Sequence, residues 1–197
     1  MRYSQIIEES APTFTQRFLN DVEWEMKHID EDYYNRTMAE AFGEASGDWH
    51  DYDDLVGDPS FEGWKRDQWR KKLSTYVRNV LRHFRGRPVI RIYRMVDQSE
   101  EWLRKLSDGA TLGVYWTDSV GSANRYVDSE VQNGLEVTLV ADVGTDAIAW
   151  SQTVALQIMN DAESEIRLRH GAEMTLVEIS VDGNRVRPDL IGHRFEA

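Results

Sequence analysis

Glu163 and Glu165 stand two residues apart in the run Ala-Glu-Ser-Glu-Ile-Arg-Leu at 162–168. On an extended strand that spacing turns both carboxylates to one side. A carboxylate held beside a sugar suits reactions that build positive charge on the ring, because it stabilises the oxocarbenium-like state as the bond to the leaving group breaks. Two further residue types earlier in the chain extend that chemistry. Arg94, in Ile-Tyr-Arg-Met-Val, offers a permanently charged fork of donors that matches phosphate oxygens. Thr117, in Gly-Val-Tyr-Trp-Thr-Asp-Ser, brings a hydroxyl that can hold a carboxylate or a ribose; the flat rings of Tyr115 and Trp116 directly precede it, and that of Tyr93 adjoins Arg94. Each residue also has a plainer use. Arg94 can pair with a surface acid, Tyr115 and Trp116 can fill a core, and two glutamates at i and i+2 carry no message alone in a chain this acidic.

Other chemistries lack their signals. The five histidines, His28, His50, His83, His170 and His193, do not pair at metal-ligand spacing, so no metal is expected. No phosphate-binding glycine loop, dinucleotide fingerprint or nucleophile elbow occurs. There are no cysteines, which removes thiolate catalysis and disulfides and fits a reducing compartment. The sequence shows no apolar run long enough to span a bilayer and no leader-like start, so the expectation is a cytoplasmic protein, or one delivered into a target cytoplasm, with no membrane partner.

The elements needed to position these residues change character near Pro88. Before it, residues 4–27 have helical spacing around a break at Pro12, residues 33–44 form a second candidate, and 47–60 read as an acidic loop. Residues 61–84 put Phe61, Trp64, Trp69, Leu73, Val77, Val80, Leu81 and Phe84 on one side and the basic residues on the other, an amphipathic helix stopped by Gly86 and Pro88. After it, strands are expected at 89–96, 112–117, 135–143, 164–168 and 174–183, with a short helix at 99–108 capped by Ser99 and another from Ser119 to Val127, N-capped by Asp118 or Ser119. This predicts an α+β protein: an acidic helical region over 1–85, then a mixed or antiparallel sheet domain over 86–197.

Charge follows the same division. Of the net charge of −12, residues 1–64 carry sixteen acids against four bases, residues 65–94 carry eleven bases against one acid, and the rest is acidic again. A basic stretch of this kind recruits phosphates or simply solvates a helix face.

The order arginine, hydroxyl, glutamate resembles the toxin-like mono-ADP-ribosyltransferases. Tyr93-Arg94 matches that family's arginine strand, Tyr115-Trp116-Thr117 stands where it has a Ser-Thr-Ser strand, and Glu163-Ser164-Glu165-Ile166-Arg167-Leu168 with Gly171 and the strand to Val181 is similar to its Glu-x-Glu segment. The resemblance covers about residues 89–181, with a shorter arginine-to-hydroxyl spacing and a degenerate serine strand. It implies NAD as substrate, Glu165 as the catalytic carboxylate, Glu163 facing the acceptor, Arg94 on the pyrophosphate, Thr117 in support, and Tyr93, Tyr115 or Trp116 against the nicotinamide. It further implies that residues 150–162 form an acceptor loop in which Trp150 or Gln152 meets the target. The acceptor suggested by Glu-x-Glu is a protein arginine in preference to nucleic acid, with a neutralising partner protein as a further expectation. Two alternatives stay open: a non-enzymatic inhibitor whose acidic N-terminal segment imitates nucleic acid, and an NAD glycohydrolase with no acceptor.

Overall fold

The computed structural model describes residues 14–29, 64–123, 134–159 and 164–197. The expected helix at 33–44 and the loop at 47–60 lie outside them.

In chain order the described elements are α1 (Phe14–Ile29), α2 (Trp64–Phe84), β1 (Val89–Gln98), α3 (Glu100–Lys105), β2 (Tyr115–Thr117), α4 (Val120–Ala123), β3 (Leu135–Gly144), α5 (Trp150–Met159), β4 (Glu165–Arg167), β5 (Glu173–Val181), β6 (Asn184–Arg185) and β7 (Arg194–Glu196). Strand neighbours run β4-β2-β1-β3-β5-β6, with β7 also on β5, and every pairing is antiparallel. The architecture is α+β, with a helix leading the sheet.

The spine of the sheet is the ten-residue match of β1 to β3, from Val89 opposite Gly144 to Gln98 opposite Leu135. Two-residue alternation explains it. Ile90 and Ile92 of β1 and Val137, Leu139, Ala141 and Val143 of β3 are buried on one face, while Arg91 and Asp142 meet across the other through two hydrogen bonds of 2.9 and 3.0 Å. In β5 the phase changes partway along. Met174 and Leu176 are buried, a register shift leaves Val177 without an opposite residue, and from there Ile179 takes the inward position. A bulge of this kind bends the strand and re-aims its side chains.

Above the buried face lies a second apolar cluster. Leu19, Val22 and Met26 of α1, Leu73 and Val77 of α2, and Val154 and Ala155 of α5 pack together, with Val80 touching both this cluster and the sheet core. Polar clamps align the helices: Arg70 reaches Glu23 at 2.6 Å and Asn20 at 2.8 Å, and Gln152 donates to Glu25 at 3.3 Å. The N-terminal helices therefore share a core with α5, an element of the strand-rich half. Gly86, with φ of 80°, ends α2 in the left-handed region that a glycine enters without strain.

Two stretches of the sheet differ from the sequence-based expectation. The strand expected at 112–117 is confined to Tyr115–Thr117, because Gly113 sits at φ 84° and the preceding backbone turns to other partners, with Leu112 N–H donating to Glu196 O at 2.8 Å. Residues 184–197, to which no element was assigned, hold two short strands and a 3-10 turn at Pro188–Leu190. Arg187 anchors this tail by donating to the carbonyls of Leu103 and Leu106 and pairing with Asp189 at 2.9 Å.

No helix among the described residues is long and apolar enough to cross a membrane.

Candidate functional site

The three strands that carry the arginine, the hydroxyl and the glutamate lie side by side. Tyr93 of β1 is opposite Thr117 of β2, and Thr117 is opposite Glu165 of β4, so the three residues form one row across the sheet. With strands about 4.8 Å apart, Tyr93 and Glu165 are separated by roughly 10 Å along that row. The sequence separates them by more than seventy positions; antiparallel pairing closes the gap.

β4 is only three residues long, and its outer side is held by α5. Thr153 of α5 accepts from Arg167 N–H at 3.0 Å and donates to Arg167 O at 3.3 Å, while Gln157 donates to Glu165 O at 3.2 Å. Thr117, 1% exposed, donates to Ser164 O at 3.1 Å and accepts from Ser119 N–H at 3.1 Å. Ser164 has φ of 48°, a left-handed turn immediately before Glu165. Thr117 thus acts as a clamp that positions the start of β4. Glu163 lies outside the described residues.

A cavity of about 240 Å³ opens beside this row, lined by Arg94, Met95, Tyr115, Trp116, Ala123 and Glu165. Tyr115 is 49% exposed at its rim, and the Arg167 guanidinium lies 5.7 Å from the centre of its ring. Trp116 is 2% exposed and donates through Nε1 to Gly113 O at 2.8 Å, so its ring belongs mainly to the core and only borders the cavity. Arg94 is half-buried and donates to Leu112 O. Burial pushes its pKa down, and among the described residues no carboxylate pairs with it. A guanidinium stripped of water without a counter-ion favours any anion that can enter. Met95 and Ala123 were not singled out in the sequence, since neither carries a chemical signal.

Gly113 makes this placement of Arg94 feasible. A Cβ there would collide with the Arg94 guanidinium, and φ of 84° is strained for any other residue. Gly113→Ala is expected to cost roughly 1–3 kcal/mol of stability and to expel the guanidinium, which would weaken any pyrophosphate binding that depends on Arg94. Thermal unfolding and titration calorimetry with pyrophosphate check this; unchanged pyrophosphate binding would show that Arg94 does not depend on the gap.

A second cavity, of about 340 Å³, lies between α2 and the strand ends, lined by Tyr76, Asn79, Val80, His83, Phe84, Asp118, Gln157 and Ser164. The Ser119 hydroxyl accepts from Ser122 N–H at 3.4 Å and serves as the cap of α4, which leaves Asp118 to face this space. Burial raises the Asp118 pKa above the ordinary carboxylate range, opposed by a hydrogen bond from its own backbone and by the His83 charge. A carboxyl with a raised folded-state pKa binds more protons folded than unfolded, so its burial costs stability as pH rises from the unfolded value through the folded one. Asp118→Asn is therefore expected to raise the melting temperature at pH 7, with the gain shrinking towards pH 3.5. A gain that does not vary with pH would place the effect elsewhere.

The segment expected to be an acceptor loop is corrected by the structure. Trp150–Met159 is the helix α5. Trp150 donates to Thr145 O at 2.9 Å with its ring 5.0 Å from that of Phe84, and Gln152 is bonded to Glu25. Both side chains are engaged in holding α5 in place, because the apolar Val154 and Ala155 draw this stretch onto α1.

Among the described residues no group of three or more His, Asp or Glu is placed to hold a metal ion. The class that the fold defines is an α+β protein built on an antiparallel sheet, with a cavity of mixed lining, Arg94 and Glu165 among apolar and aromatic groups, at the β1-β2-β4 edge. Comparison with protein-family models, with curated proteins and with solved structures finds no match to this chain.

Proposed function

We propose that the chain is a mono-ADP-ribosyltransferase that cleaves NAD at the nicotinamide-ribose bond and transfers ADP-ribose to a macromolecular acceptor. The observation that carries this reading is one cavity lined by both Arg94, a desolvated cation with no carboxylate partner among the described residues, and Glu165. An arginine strand, a hydroxyl strand and a glutamate strand lying side by side are the arrangement that the ADP-ribosyltransferase resemblance implies, and their adjacency here supports it.

In this reading Arg94 binds the pyrophosphate, the exposed Tyr115 ring stacks on the nicotinamide, and Glu165 faces the ribose. As the C1′–N bond breaks, the electron pair leaves with neutral nicotinamide and positive charge builds on the sugar, where the Glu165 carboxylate stabilises it. An acceptor nucleophile then bonds to C1′ and releases its proton. Thr117 acts indirectly, by fixing Ser164 and hence the start of β4. A cavity of about 240 Å³ is small for a whole dinucleotide. Room for the remainder exists alongside, since Met95 also lines an open groove of about 950 Å³ over the outer face of β1, β3 and β5.

The test is incubation of the protein with isotopically labelled NAD and cell lysate, following free nicotinamide and labelled acceptor together. Nicotinamide release with label transfer supports the reading. Free ADP-ribose without labelled acceptor points to an NAD glycohydrolase, and no release from folded protein removes the enzyme assignment.

A further inference from the structure

The solvent face of α2 carries an organised cationic stripe. Lys71, Thr75, Arg78 and Arg82, continued by Arg85 one residue past the end of α2, follow one another at four-, three-, four- and three-residue steps, all exposed, so they fall within about 40° of one line along the helix surface. The line is roughly 21 Å long at 1.5 Å per residue. Among the described residues no carboxylate pairs with Lys71, Arg82 or Arg85, and Arg78 donates to Ser74 O and Thr75 Oγ1 on its own helix.

Beside the stripe, turned about 100° around the helix, a second row holds Tyr76, Asn79 and His83, and these three line the 340 Å³ cavity with Asp118, Gln157 and Ser164. We propose that this face of α2 binds single-stranded nucleic acid, with phosphates along Lys71, Arg78, Arg82 and Arg85 and one unpaired base in the cavity against Tyr76. The lining suits a base edge. Asn79 and Gln157 offer both donors and acceptors, the Asp118 carboxylate accepts from an exocyclic amino group, and the 36% of Tyr76 that stays exposed offers an aromatic surface. An acidic polypeptide fits less well: it would pair with the stripe, yet its carboxylates would be repelled by Asp118 and it has no planar group for the cavity. Duplex DNA holds its bases stacked and withdrawn from such a pocket.

The binding surface stands independently of the Glu165 chemistry. Joined to the transferase reading, on which this further step rests, it makes the bound strand the acceptor, because Ser164 lines this cavity and Glu165, the next residue, lines the other.

Binding is measured without NAD, by fluorescence anisotropy of mixed-sequence single-stranded RNA and DNA of about 12 nucleotides, using the full chain over a range of salt. Four phosphate contacts predict that log affinity falls against log salt with a slope of about −3. Arg78→Gln with Arg82→Gln should flatten the slope to about half. Tyr76→Ala should weaken binding about tenfold with the slope unchanged. Circular dichroism melts of both variants, altered only at exposed positions, confirm folding. Polyglutamate and duplex DNA of equal charge serve as competitors and should displace the strand poorly. No binding at low salt, equal competition by polyglutamate, or a Tyr76→Ala protein that binds as tightly as the parent overturns the proposal. Because NAD is absent, strand binding without nicotinamide release in the separate labelled-NAD assay would sink the transferase reading alone.

Discussion

Glu165→Gln is expected to lower nicotinamide release from NAD by about 10²–10³-fold, the typical loss when one preorganised group that stabilises transition-state charge is removed. Glutamine has nearly the shape of glutamate, so the substitution removes charge with little change in volume. The fold should tolerate it well. At this point β4 is held through main-chain atoms: the Glu165 carbonyl accepts from Gln157, and both main-chain polar groups of Arg167 bond to Thr153. The loss should therefore appear in kcat, with KM changed much less, since the charge being stabilised develops only as the bond breaks. Steady-state kinetics of nicotinamide release, paired with a thermal melt, separate the two contributions. Release that survives in Glu165→Gln at the parental rate would show that the carboxylate plays no part, whatever the cavity binds.

The second large effect concerns stability and comes from the last residues of the chain. Phe195 is among the most deeply buried large side chains, in β7 opposite Met174, and the surrounding backbone is tied in by Gly171 N–H to Ala197 O at 3.0 Å and Ala197 N–H to Ala172 O at 2.9 Å. Phe195→Ala deletes a ring from a core that cannot collapse freely around the gap, at a cost of about 3–5 kcal/mol. For a chain of this size that corresponds to a fall in melting temperature on the order of 10 °C, read by differential scanning calorimetry. A fall of only a degree or two would mean that the tail does not complete the sheet core.

How much of this was legible beforehand differs by element. Strands β1 and β3 announce themselves because one face is buried and the other wet, so Ile90, Ile92, Val137 and Leu139 alternate with polar neighbours. Helix α2 does so through its three- and four-residue spacing, and its end through Gly86. The Ser99 cap of α3 was equally plain, its hydroxyl accepting from Trp102 N–H at 3.1 Å. β6 and β7 carry no comparable signal. Two- and three-residue strands are too short to show a period, and each exists because β5 presents main-chain groups for it to pair with.

The candidate site divides along the same line. Residue chemistry was readable locally: a fork of donors at Arg94, a hydroxyl at Thr117 and a carboxylate at Glu165 are properties of those side chains wherever they lie. Their assembly was not. Only the order of strands in the sheet sets Tyr93, Thr117 and Glu165 in one row, and only burial beneath Gly113 makes Arg94, which could equally have paired with a surface acid, a desolvated cation with no carboxylate partner among the described residues. The same holds for Trp150 and Gln152, whose types suit a recognition loop but whose neighbours Val154 and Ala155 draw them into a helix against α1. Backbone propensity, alternation and side-chain chemistry are local and are carried by sequence. Desolvation and adjacency depend on which distant segments pack together, and tertiary structure alone decides them.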